Sequence, residues 1–473
     1  MTLGLLLAFL AAALLANLLT RRGGRLYTLL VLSALAVYAL QPALPVRGLD
    51  FWLPTATLAL AVLGWVLTTP DEQRGWKANA PAALILAGLV LALGLTRLLD
   101  VSLPLTASPP PPTLQVALVL ILAAAGVFFL WRFARPGRLL LGGAVGLLLA
   151  LFVVLKVPAL AQAASAGLRM LNLQSTQTAS PLDLRWLGYS YLAFRLLHTL
   201  RDRQTGRLPA VSLAEYVVYV IFFPALAAGP IDRLERFTAD LRRPLEFGAA
   251  DWAETGRRLV AGLFKKFVVA DLLALVSLNA TNALQVRSTG WSWVLLYAYA
   301  LQIYFDFSGY TDIAIGLGRL VGIRLPENFN APYLKPNLTQ FWNNWHMTLT
   351  QWFRAYFFNP LTRALRSAKK PLPIPAVILL TQVATMVLIG LWHGMTANFI
   401  LWGLWHGLGL FVHNRWSERT RAGFAALPGG AQKALNAGGA LLTFHYVALG
   451  WVFFALPLPA TSWHVFLKLF GLA

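Results

Sequence analysis

The side chains best suited to chemistry in this chain are two histidines set among apolar residues. His346 closes the run Phe341-Trp342-Asn343-Asn344-Trp345-His346, and His393 ends a long apolar run at Gly390-Leu391-Trp392-His393-Gly394. An imidazole takes up and returns a proton near neutral pH, so it can serve as general base and then as general acid. Polar groups held inside a bilayer are costly and usually mark a functional path. A helix that stops beside Gly394 would turn the His393 ring toward a break where a substrate can approach. The competing reading is a ring that bonds a backbone carbonyl between helices. His346 has Trp342 one helical turn before it and Leu349 and Thr350 one turn after. Its competing reading is an interfacial helix with Trp and His at headgroup level. Trp342, Asn343, Asn344 and Asn398 are the neighbours placed to contact a substrate.

The chain has seven histidines. His406, in the apolar run after His393, is a candidate supporting partner. His198 and His413 lie at helix ends, where snorkelling accounts for them; His445 and His464 read as structural. Asp306 and Asp312 fall inside an apolar segment and could relay protons or hold a cation. The favoured reading pairs them with Arg319, Lys265 and Lys266. With no cysteine, disulfides, thiolate metal sites and a cysteine nucleophile are excluded. No metal-ligand cluster, phosphate-cradling glycine loop or nucleophile elbow is present, and no metal is expected.

The elements that must position these groups are membrane helices. Of the 473 residues 58% are hydrophobic and 12% charged, against about a quarter charged in soluble chains. The reading is an all-α, polytopic transmembrane protein. The net charge of +21 is spread in short clusters between apolar runs, as in cytoplasmic loops facing anionic lipid. The expected partner is therefore the bilayer, and no nucleic acid.

A helix needs about 20 apolar residues to cross the hydrocarbon core. Candidate spans lie near 3–19, 26–44, 51–69, 81–99, 114–133, 138–160 and 184–200; 259–280 and 291–322 are apolar, the second interrupted by Asp306 and Asp312, and 374–393, 396–413 and 437–456 are three more spans, for roughly eleven full crossings plus re-entrant or interfacial pieces. The first is read as a retained span rather than a cleaved signal. Arginine and lysine are concentrated in the odd-numbered connectors of the first half, which places the N-terminus outside. Residues 213–228, ending at Pro224 and Gly229-Pro230, lie between two basic connectors, so they are expected to re-enter rather than cross. Backbone at such depth is tolerated only inside protein or beside a wet cavity. Pro109-Pro110-Pro111-Pro112 forbids helix and makes a stiff connector. Residues 325–336 are too rich in Pro, Asn and Tyr to span. Over 337–360 the stripe Trp345, Leu349, Trp352, Tyr356 predicts one amphipathic helix.

Several runs in the second half resemble the membrane-bound O-acyltransferase (MBOAT) family in its bacterial cell-surface polymer branch, the alginate O-acetylation and teichoic-acid D-alanylation type. They are QIYFDFSGYTDIAIGLGRLVG from Gln302, LPENFNAPYL at 325–334, FWNNWHMTLTQWFRAYFFNPL at 341–361 and GLWHG at 390–394, with weaker likeness at 187–195 and 222–233. The resemblance covers roughly 184–456. It implies an MBOAT-like fold around a central tunnel, with 1–180 as N-terminal helices and 181–473 as the catalytic core. It also implies that His393 is the essential catalytic group and His346 the second active-site position. Two departures are Asn344, where relatives usually carry Arg, and Ala355, where they usually carry an acid.

What the resemblance implies is acyl transfer, with acetyl favoured, from a cytoplasmic thioester to hydroxyls of an extracytoplasmic polysaccharide or a partner protein. Neutral His393 would deprotonate the acceptor hydroxyl, and His346, Asn343 or Asn344 would donate to the oxyanion. The donor, acetyl-CoA or another acyl thioester such as an acyl-carrier protein, is a substrate, and no cofactor is expected. A secreted or membrane-anchored acetyltransferase is the expected partner, and a bacterial inner (plasma) membrane the location. The alternatives are D-alanyl transfer from a carrier protein to teichoic acid and, in another class, a proton-coupled transporter or flippase. A transporter should show two related halves, and no such symmetry is visible.

Overall fold

The computed structural model describes residues 3–20, 23–98, 105–133 and 137–472, and these are helical with no strand among them. The chain forms two compact units, one of Met1–Arg257 with Ala314–Leu325, the other of Arg258–Ile313 with Pro326–Ala473.

The first unit contains α1 (Leu3–Thr20), α2 (Arg25–Leu40), α3 (Leu49–Thr68), α4 (Trp76–Leu95), α5 (Thr113–Phe133), α6 (Arg138–Lys156), α7 (Pro158–Leu171), α8 (Tyr189–Gln204), α9 (Leu213–Ile221), α10 (Leu234–Arg242) and the start of α11 (Ala249–Phe264). Pro109 to Pro112 are non-helical, as expected, and the Pro110 carbonyl accepts from Arg97 at 2.7 Å. Helix α9, in the segment expected to re-enter, is too short to cross. It has 9 residues, all buried, so at about 1.5 Å per residue it cannot cross a core about 30 Å thick. Its start is closed by a capping box between Ser212 and Glu215. At its other end Arg195 donates to the carbonyls of Val220 and Ala225, both at 2.8 Å. Protein thus satisfies a helix end that lipid could not.

His198 departs from expectation. It is buried rather than snorkelling, with Nε2 accepting from the Leu234 amide at 3.3 Å and Nδ1 3.3 Å from Asp202. A helix interior walled by α10 leaves it no route to the surface.

The second unit contains α12 (Asp271–Ala274), α13 (Asn282–Gln285), most of α14 (Thr289–Leu320), α15 (Leu338–Asn344), α16 (Met347–Phe353), α17 (Asn359–Arg366), α18 (Ile374–His393), α19 (Ala397–Ala425), α20 (Gly429–Ala455) and α21 (Pro459–Leu469). Within it α11 and α14 cross backbone to backbone. A methyl on Gly262 would lie 2.8 Å from the Gly309 carbonyl oxygen, and one on Gly309 would lie 2.8 Å from that of Gly262. Just beyond the crossing the chain widens into a π-helical turn, Lys265–Ala270, which brings Lys265 and Lys266 to α14. Lys265 meets Asp312 at 2.7 Å and Lys266 meets Asp306 at 2.5 Å, while Arg258 meets Asp312 at 3.1 Å and also bonds Glu327. The acids are structural pairs, as favoured. Arg319 is not among their partners and faces Asp251 and Glu254.

Among the described residues seven helices are long and apolar enough to cross a membrane: α1, α3, α4, α5, α6, α18 and α20. The other expected spans fall on helices that are short, as α2 and α8 are, or are diluted by polar residues, as α14 and α19 are. The expected continuous helix over 337–360 is broken at the residue of greatest interest. Trp345 is extended and His346 has φ 42°, before α16 begins.

Candidate active site

That break is made by a residue eighteen positions upstream. The Asn328 side-chain oxygen accepts from the Thr348 amide at 3.2 Å and the Thr348 hydroxyl at 2.6 Å, and the Met347 amide donates to the Asn328 carbonyl at 2.9 Å. These bonds pay the cost of a left-handed backbone at a residue with a side chain. They also fix the histidine. His346 Nδ1 lies 3.3 Å from the same Asn328 oxygen, which is already an acceptor, so Nδ1 carries the hydrogen. The neutral ring then presents the Nε2 lone pair, and that atom is buried with no hydrogen-bond partner in the protein. Such a ring accepts a proton or a hydrogen bond; it donates from Nε2 only once protonated.

His393 is held by the α18–α19 hairpin. The two helices approach so closely that a methyl on Gly403 would lie 2.5 Å from Val387 Cα, and one on Gly407 would lie 2.7 Å from Val383 Cα. Helix α18 ends at His393 because Gly394 turns extended, and this leaves the ring half-buried at the helix end.

The two histidines line one cavity of about 40 Å³, shared with Ile303, Phe307, Trp342, Trp345, Leu349, Thr350, Ile389, Trp402, Trp451 and Phe454. The wall is aromatic: His346 packs edge-on to Phe307 at 4.7 Å, His393 to Phe454 at 4.8 Å and to Trp402 at 5.7 Å, and Trp342 to Trp402 at 5.5 Å between ring centres. The indole nitrogens of Trp342 and Trp402 are buried without a hydrogen-bond acceptor. Buried donors are ordinarily satisfied, and these two belong to residues of the wall, as does the unpaired Nε2 of His346.

The other expected contacts sort differently. Trp342 lines the cavity. Asn343 is exposed and its oxygen accepts from Arg354 at 2.7 Å, and Asn344 donates to the Gln340 carbonyl at 2.8 Å, so neither side chain is in the wall. The helical turn of α15 that buries Trp342 points its next two residues elsewhere. Asn398 is buried but also outside the wall; it donates to the Leu456 carbonyl at 2.6 Å and to Ser462 at 3.0 Å, tying the start of α19 to α21. Asn328, Thr350, Trp402, Trp451 and Phe454 were not singled out from sequence. Asn328 carried a signal there as a polar residue in the LPENFNAPYL stretch, and Thr350 as a residue one turn after His346. His406 touches Trp342 at 4.9 Å and Trp402 at 5.0 Å, which places it behind the wall, as expected of a supporting residue. No group of three metal-ligating side chains occurs among the described residues.

A membrane helical bundle that brings two histidines to one aromatic cavity has the outline of an intramembrane enzyme. The family is shown directly: the model of MBOAT, the membrane-bound O-acyltransferase family, matches residues 144–450, and this chain belongs to that family. Among curated relatives, Probable alginate O-acetylase AlgI of Pseudomonas aeruginosa is 33% identical over 287 residues, 60% of this chain and 51% of that protein. Teichoic acid D-alanyltransferase of Streptococcus thermophilus is 30% identical over 301 residues, 60% of this chain and 72% of that protein. Peptidoglycan O-acetyltransferase of Helicobacter pylori is 35% identical over 245 residues, 51% of this chain and 43% of that protein. The chain thus spans about half the length of the alginate and peptidoglycan relatives and more of the teichoic-acid one.

Proposed function

We propose that the protein is an acyltransferase that moves an acyl group, acetyl first among candidates, from a cytoplasmic thioester to a hydroxyl on an extracytoplasmic polysaccharide or on a partner protein. The observation that carries this reading is the single cavity shared by His346 and His393. The acceptor hydroxyl gives its proton to His393 as its oxygen bonds the thioester carbonyl carbon. The C–S bond then breaks, and the departing thiolate takes the proton back from the imidazolium. General-base help of this kind is worth about 10²–10⁴-fold. The buried indole N–H of Trp342 stabilises the oxyanion, in place of the Asn343 and Asn344 donors expected from sequence. Such a donor contributes on the order of 10²-fold or more in a dry site. His346, its tautomer set by Asn328, accepts a hydrogen bond from the guest.

Acetyl-CoA is the proposed donor, supported by the alginate and peptidoglycan relatives, and an anionic donor suits basic connectors. The proposed setting is a bacterial inner membrane with a secreted or membrane-anchored acetyltransferase as partner. A second reading, D-alanyl transfer from a carrier protein, draws support from the fuller coverage of the teichoic-acid relative. A proton-coupled transporter loses support because Asp306 and Asp312 are tied to lysines and Arg258. The test is CoA release from acetyl-CoA by the purified protein in the presence of a polysaccharide acceptor, compared with the doubly substituted His346→Ala, His393→Ala protein. Release by wild type alone supports the proposal; equal release by both overturns it. Transfer only from a D-alanyl carrier protein moves the assignment to the second reading.

A further inference from the structure

A second cavity lies wholly within the first unit, far larger and of opposite character. It holds about 370 Å³ between α3, α4 and α5, within the range of about 300–1,000 Å³ typical of ligand pockets. Its walls are single helical faces. Helix α5 contributes positions 119, 120, 123, 124, 127, 128 and 131, and α4 contributes 76, 79, 83, 86, 87 and 90, each set repeating at helical spacing. The space exists because alanines stand where larger side chains would fill it, at Ala59, Ala83, Ala87, Ala123 and Ala124. From 119 to 131 at about 1.5 Å per residue the cleft runs roughly 18 Å along the helices, the reach of an extended long-chain acyl group.

One end differs from the rest. There the wall holds Arg74, Trp76 and Trp131. Arg74 is itself buried, held by bonds to the carbonyls of Thr69 at 3.0 Å and Val66 at 2.7 Å, and Trp131 donates to the Arg74 carbonyl at 3.1 Å. Lys77 and Arg132, next in sequence to the two tryptophans, are exposed just outside the wall, Arg132 over the Phe133 ring at 5.5 Å, and Glu72 is the exposed acid nearby in sequence. Tryptophan and basic side chains together are the signature of the headgroup level of a leaflet with negative surface charge.

We infer that this cleft is a binding site for one anionic phospholipid, whose acyl chain lies along α4 and α5 and whose phosphate faces Arg74, Lys77 and Arg132. A narrow apolar bore with a basic, tryptophan-lined mouth fits that molecule and disfavours a zwitterionic one.

The test uses the full-length protein, delipidated in detergent and then offered dioleoylphosphatidylglycerol and dioleoylphosphatidylcholine in competition, with bound lipid read by native mass spectrometry. One phosphatidylglycerol is expected to remain at a preference on the order of tenfold. Ala123→Phe, which fills the bore, should abolish retention, and the exposed pair Lys77→Gln, Arg132→Gln should erase the preference. Equal retention of the two lipids by wild type, or undiminished phosphatidylglycerol on a folded Ala123→Phe protein, overturns the inference. The wild-type competition decides the question even where the filled variant does not fold.

Discussion

At 390–394 and again at 403–407 the chain reads Gly-Leu-Trp-His-Gly. The leading glycines serve alike, each sitting where α18 and α19 touch. The histidines do not. His393 is the last residue of α18, half-buried and in the cavity wall. His406 lies within α19, fully buried behind Trp342 and Trp402, with neither ring nitrogen bonded to protein. Its space is closed by Gly450, where a methyl would lie 2.5 Å from His406 Nε2. Identical pentapeptides therefore acquire different roles from where the helix stops, because a ring at a helix end can meet a guest and one inside a packed helix cannot.

The strongest way to break this contrast is the paired substitution. His393→Ala should lower acyl transfer by about 10²–10⁴-fold with little change in thermal stability. His406→Ala should leave much of the transfer and lower the melting temperature instead. A folded His406→Ala protein as inactive as His393→Ala would refute the division. Next comes Asn328→Ala, expected to reduce transfer by roughly 10–10²-fold by releasing the His346 tautomer, as loss of an orienting partner does in other histidine sites. A shifted pH–rate profile is the readout that a merely structural role would not move.

Smaller is Gly450→Ala, which overpacks the His406 niche at a cost of about 1–3 kcal/mol, measured by thermal unfolding, with kcat per folded molecule retained. The smallest effect belongs to a polar cluster remote from both pentapeptides. Burial raises the Asp183 carboxyl, but bonds from Ser165, Arg169 and the Ser180 amide outweigh it and hold it below its ordinary value. A lowered folded value means stabilisation that is present above the unfolded carboxylate range, near about pH 3.9, and is lost as pH falls through the folded value. Ser165→Ala should cost about 1 kcal/mol near neutrality, and its difference from wild type should vanish on acidification. A difference that persists at pH below the folded value as well would remove Asp183 from the account.

Legibility of the fold followed lipid exposure. Helices α5 and α6 face outward over most of their length, so their apolar runs were readable as spans. Helix α8, within the expected span 184–200, is instead a 16-residue helix buried by protein and carrying Arg195 and His198, so an apolar run there marks packing rather than a crossing. In the site, His393 was readable because an apolar run and a glycine mark a helix end locally. The turn at His346 was not, because Asn328 imposes it from a distance, while the Trp345-Leu349-Trp352 stripe argues for an unbroken helix. Asn343 and Asn344 were misleading for the same reason: adjacency in sequence says nothing of direction once the helix is cut.

The Gly262–Gly309 crossing gives the second unit a fixed point. With no side chain between the two backbones, α11 and α14 meet at that point, and the Lys265–Asp312 and Lys266–Asp306 pairs beside it hold their register. Phe307, two residues before Gly309, stands against His346. A bulkier residue at either glycine would therefore act as a wedge close to the Phe307–His346 contact.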